Sequence, residues 1–97
     1  MYTETALFDL LLPADSRSLK QKRSYVRPII AMLRRFEVSV AEVGFLDRYG
    51  RAQIGVAAVA ADPAQARRVI DTCEQHVAGR PEIELLSVRR RLHGDDD

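Results

Sequence analysis

The sequence predicts one α+β domain: a four-stranded antiparallel sheet with two helices on one face, in the order β-α-β-β-α-β. Three observations carry this. Four short runs, 2–12, 37–45, 51–61 and 82–88, have the apolar alternation or saturation of strands. Two longer stretches, opening at Ser18 and Asp62, place apolar residues at helical spacing behind a capping residue. The 97 residues suit a single domain, able to bury roughly 60–70% of its unfolded surface.

In the first strand Ala6, Phe8, Leu10 and Leu12 share one face and Leu7 and Leu11 the other, as expected of a strand inside its sheet. Pro13 ends it. Ser18 followed by Gln21 fits a capping box, and Leu19, Val26, Ile29, Ile30 and Leu33 then form one helical stripe. Lys20, Arg23, Arg27 and Arg34 line one flank of that helix, whereas Lys22 falls within the apolar stripe. Pro28 removes a backbone bond and predicts one bent helix, with two short helices as the alternative.

The second strand, 37–45, sets Val38, Val40 and Glu42 against Ser39, Ala41 and Val43. A turn at 46–50 leads into the third strand, 51–61, whose glycine and alanines permit close approach. Asp62, Pro63 and Gln65 open the second helix, with Val69, Ile70, Cys73 and Val77 facing inward and Gly79 at its end. After the last strand, Arg89, Arg90 and Arg91 and the acidic end read as an exposed tail. With right-handed crossovers, the order closes into a ferredoxin-like sandwich over 1–93, with an acidic C-terminal tail at 94–97. The sheet face without helices carries Leu7, Leu11 and Leu85 or Leu86, and an apolar face of that kind predicts a homodimer.

The net charge of +1 hides an uneven distribution. Without the three terminal aspartates, 15 bases face 11 acids, and 13 of the bases are arginine, the residue best matched to phosphate. Between Ser16 and Phe36 there are seven bases and no acid. That flank, Lys20, Arg23, Arg27 and Arg34, predicts an anionic partner, with nucleic acid the leading class; a solvated helix face is the plainer alternative. In the hairpin loop Arg48, Tyr49 and Arg51 could hold phosphate and stack on a base, against the commoner reading of exposed turn residues. Lys22 and Glu42 fall on faces that otherwise look buried, which predicts an ion pair locking the helix to the second strand rather than a catalytic acid and base.

Several functions are disfavoured by what the sequence lacks. The lone Cys73 cannot form an intramolecular disulfide, and His76 and His93 give no metal-ligand spacing with it. The absence of asparagine argues against an acylphosphatase, and the single cysteine against a copper chaperone. The third strand has no aromatic residue, so base stacking on the sheet in the manner of an RNA-recognition motif is not expected. The N-terminus has acids where a secretory signal needs bases, and no run is long enough to span a bilayer, which predicts a cytoplasmic protein.

With Ser18-Leu19-Lys20, Lys22, Arg23 and the run Val38-Ser39-Val40-Ala41-Glu42-Val43, the chain resembles the YlxP-like family of small bacterial domains of unknown function. The resemblance extends to about Leu92. It implies a ferredoxin-like fold and, because genes of the family often sit beside those for translation initiation and ribosome-binding factors, a translation-linked or ribosome-assembly role. It supplies no catalytic residues or cofactor. The chain departs from the family pattern at Glu37, where asparagine is usual, and at Tyr49-Gly50, which replace an aromatic–glutamine pair. The expectation is a non-enzymatic RNA- or ribosome-associated accessory domain without cofactor or metal. The alternative is a homodimeric protein-interaction or small-ligand-sensing module.

Overall fold

A computed structural model describes residues 1–96. Its elements are β1 (Tyr2–Leu11), α1 (Leu19–Arg34), β2 (Ser39–Gly44), β3 (Arg51–Ala60), α2 (Pro63–Ala78) and β4 (Glu84–His93). The strands form one antiparallel sheet in the order β2-β3-β1-β4, which is the ferredoxin-like arrangement. Alternation in β1 turns Glu4, Ala6, Phe8 and Leu10 to the helices, and in β3 it does the same for Ala52, Ile54, Val56 and Ala58. Val26, Ile29 and Leu33 of α1 and Ile70, Cys73 and Val77 of α2 meet them in one core, so both helices cover the same face. Burial raises the Cys73 thiol pKa above its ordinary value, as suits an inert core thiol.

Local chemistry explains the helix starts. Gln21 N–H donates to Ser18 Oγ at 3.1 Å, and Gln65 N–H donates to Asp62 Oδ1 at 2.8 Å. Helix α1 runs unbroken through Pro28, which lies on the exposed side where no packing depends on the missing bond. Leu19 departs from the expected stripe: it opens the helix beyond the sheet and is exposed, so the stripe begins at Lys22 and Val26. In α2 the buried set gains Ala66, and Val69 is only half-buried.

The arginine triplet is the main correction to the predicted organisation. Arg89, Arg90 and Arg91 are not tail; they lie in β4 opposite Leu7, Ala6 and Thr5 of β1. Charge alone reads as solvated chain, but this edge strand has acidic partners waiting for it. Arg90 is on the helix side, where its guanidinium bonds Glu4 Oε2 (2.8 Å) and Asp71 Oδ1 (2.6 Å) and lies 3.5 Å from Glu74. A bulge between Asp9 and Leu10 leaves Leu86 exposed while Leu85 packs against the core. Of the acidic tail, Asp95 Oδ2 lies 2.8 Å from the terminal amino group of Met1, and Asp97 is outside the described residues.

Two positions carry a left-handed backbone, Glu37 (φ 60°) just after α1 and Phe45 (φ 55°) just after β2. Asparagine tolerates that conformation better than glutamate, and glycine better still. Replacing exposed Glu37 by glycine or asparagine should therefore stabilise the fold by about 0.5–1 kcal/mol, read as a higher urea midpoint at unchanged slope. Gly50 has no such requirement: its φ is not positive and a Cβ there would meet nothing within 4 Å. A Cβ at that position is sterically tolerated.

The face without helices carries Leu7, Asp9 and Leu11 of β1 and Arg51, Gln53, Gly55, Ala57 and Val59 of β3. Hydrogen bonding from Gln53 is the main cause that holds the Asp9 carboxyl below its usual pKa; burial opposes it, and the Ser87 hydroxyl (3.0 Å), Arg51 and Arg89 assist. A carboxylate lowered in the folded state stabilises above its unfolded pKa, and the benefit is lost as pH falls through the folded value. The stability difference between pH 7 and pH 3 should therefore be smaller for Asp9→Asn than for wild type in parallel urea titrations.

Candidate functional site

The predicted site residues do not form one surface. Lys20, Arg23, Arg27 and Arg34 lie exposed along α1, a row of roughly 21 Å at 1.5 Å per residue. None of the four has an ion pair or side-chain hydrogen bond among the described residues, whereas Lys22, Arg80 and Arg90 are all paired. The first turn of α1 also lacks an acid, so Lys20 and Arg23 stand near the positive end of the helix dipole. Such a placement costs stability without any compensating ion pair or side-chain hydrogen bond among the described residues.

Arg51 lies on the other side of the sheet, because it opposes Leu11 on the face away from the helices. Its guanidinium and that of Arg48 lie 4.8 Å and 5.4 Å from the centroid of the Phe45 ring. These two arginines are thus ordered by the loop itself. Tyr49 is about half exposed, 46%, and its backbone is pinned: Ser16 Oγ donates to Tyr49 O at 2.5 Å, and Leu12 N–H to Gly50 O at 2.9 Å. The loop backbone is therefore tied to the chain between β1 and α1, with Tyr49 half exposed, while Arg51 is separated from the helix row.

Between α1 and β2 lies a cleft of about 340 Å³. Leu19, Val26, Ile30 and Leu46 form its apolar walls, Arg23 and Arg27 its rim, and Lys22 and Glu42 its floor. The Lys22 side chain is only 3% exposed; its Nζ is 2.8 Å from Glu42 Oε2 and donates to Phe45 O at 2.7 Å. Glu42 keeps contact with solvent, at 24%. Phe45, whose carbonyl accepts from the ammonium, is also one of the two left-handed positions, so the strained residue and the buried charge meet at one point. Sequence reasoning placed Lys22 and Glu42 on inward faces, but a backbone carbonyl as second acceptor leaves no signature in residue types.

No group of three or more His, Cys, Asp or Glu among the described residues could hold a metal ion. No helix of the described residues is long and apolar enough to cross a membrane. The Arg90 cluster with Glu4, Asp71 and Glu74 is a charged constellation that the linear sequence concealed, since Glu4 and Arg90 lie 86 positions apart. The only signal was a glutamate in register with the buried alternation of β1.

Fold and surface together define a small ferredoxin-like α+β domain with an unpaired basic helix flank above an edge-strand cleft. The chain belongs to the DUF503 family, described as proteins of unknown function, whose model matches residues 4–90. It is similar to uncharacterized protein YlxP of Bacillus subtilis (strain 168), with 32% identity over 76 residues, 77% of this chain and 83% of that protein.

Proposed function

We propose that this chain is a non-enzymatic accessory domain that binds RNA, ribosomal RNA or a ribosomal subunit in the first instance, through Lys20, Arg23, Arg27 and Arg34. One observation carries the reading: four exposed cations in a row on one helix, none neutralised by an acid among the described residues. A row of that kind suits a phosphate backbone, which needs spaced point charges and little sequence-specific chemistry. Arg48 and half-exposed Tyr49 of the hairpin loop belong to the proposal as well, as a phosphate contact and a stacking ring. Arg51, on the opposite sheet face, contributes by ordering the loop.

Mobility shift and subunit co-sedimentation at low and high salt test the reading. Four phosphate contacts to single-stranded RNA give a slope of about −3 in log affinity against log salt. The variant Arg23→Glu/Arg27→Glu/Arg34→Glu should lose most of the binding while keeping its circular dichroism spectrum. Equal binding by wild type and variant, or no binding by either at low salt, ends the proposal.

A homodimeric interaction module is the second reading, favoured by the uncovered sheet face. Val59 and Val43 there are 65% and 54% exposed, beside the small residues Ala41, Gly55 and Ala57. Sedimentation across a concentration range decides it; a monomer throughout sinks it.

A further inference from the structure

We infer that the outer edge of β2 and the cleft beneath α1 form a peptide site, for an extended segment in which apolar and acidic side chains alternate. Strand β2 ends the sheet, with only β3 beside it, so alternate backbone N–H and C=O groups from Ser39 to Glu42 point outward with no strand to receive them. The bulge between Glu42 and Gly44 and the left-handed Phe45 limit this edge to about those four residues. A strand added there places every second side chain on the helix side of the sheet, beside Val40 and Glu42. That is where Val26, Ile30 and Leu46 wall the cleft.

Charge selects the occupant. Glu42 is the one carboxylate lining the cleft, and Lys22 already sits 2.8 Å from it. Arg23 and Arg27 at the rim have no acid partner among the described residues, so the rim is complementary to acidic side chains. A second copy of this chain fits poorly: two-fold pairing through β2 would continue the sheet and bring the cation row of α1 against itself. RNA could satisfy Arg23 and Arg27 but has nothing for the strand edge or the apolar walls.

The test uses a fluorescein-labelled seven-residue peptide alternating glutamate and valine, its lysine–valine counterpart, and two glutamate–valine versions N-methylated at alternate positions. Anisotropy at low salt should show binding of the glutamate peptide and of one N-methylated version, the one whose methyl groups face away from β2. Arg23→Glu/Arg27→Glu should weaken it roughly tenfold or more. Hydrogen exchange should slow at the outward amides between Ser39 and Glu42. The inference is overturned if the lysine peptide binds as well, if both N-methylated versions bind alike, or if no amide of that edge slows. It is equally overturned if the glutamate peptide does not bind at millimolar concentration while poly(U) does, which would leave the cleft rim to RNA alone.

Discussion

Arg90→Ala should destabilise the domain by about 3 kcal/mol, the low end for breaking a buried ion pair because the guanidinium itself is a quarter exposed, 26%. The cost falls on Glu4, 6% exposed by its side chain, whose carboxylate would be left inside the sheet–helix interface without its partner. Arg90 also ties α2 to the edge strand through Asp71, Glu74 and the carbonyl of Arg67. Burial alone would lower the Arg90 pKa, but the carboxylates of Asp71 and Glu4 hold it above its ordinary value. Urea denaturation gives the cost. The double variant Glu4→Leu/Arg90→Met should recover most of it, since an apolar pair needs no charge compensation at that position. A loss below about 1 kcal/mol for Arg90→Ala would mean that water reaches Glu4 freely.

Lys22 should be nearly as costly to remove. Lys22→Ala abolishes the ammonium that joins Glu42 to the Phe45 carbonyl and leaves a void where its stem packs, together about 2–3 kcal/mol. Lys22→Met keeps much of the stem and isolates the polar part, so its cost should be smaller, by roughly 1 kcal/mol. Double substitution with Glu42→Gln measures the coupling between the two partners. The same variants separate structure from binding. An ammonium with 3% of its side chain exposed cannot reach a phosphate, so Lys22→Met should leave RNA affinity within about twofold of wild type, whereas Arg23→Glu should not. Loss of RNA binding by a folded Lys22→Met protein would move Lys22 from the scaffold to the site.

The two ion pairs hold different parts of the same sandwich. Arg90 fastens β4 and β1 to α2, and Lys22 fastens α1 to β2 and to the turn that follows it. Between them they leave α1 free to show a flank of unsatisfied charge. Lys22 and Glu4 thus keep their charges paired inside, while Lys20, Arg23, Arg27 and Arg34 stand without an ion pair among the described residues.

Much of this was legible in the residues. Capping by Ser18 and Asp62, the alternation in β1 and β3 and the stripe of α1 each depend on near neighbours, and local periodicity reports them directly. The row Lys20, Arg23, Arg27 and Arg34 follows from helical spacing alone, as do the inward positions of Lys22 and Glu42 from theirs. Tertiary structure decided what depended on a partner distant in sequence. It turned Arg89–Arg91 from apparent tail into strand, because β1 offered backbone pairing and Glu4 and α2 offered carboxylates. It exposed Leu19, divided Arg51 from the helix row, and brought the Phe45 carbonyl to Lys22. Periodicity assigns a residue to a face, but the energy of a charge on that face depends on which groups other elements bring within about 4 Å of it.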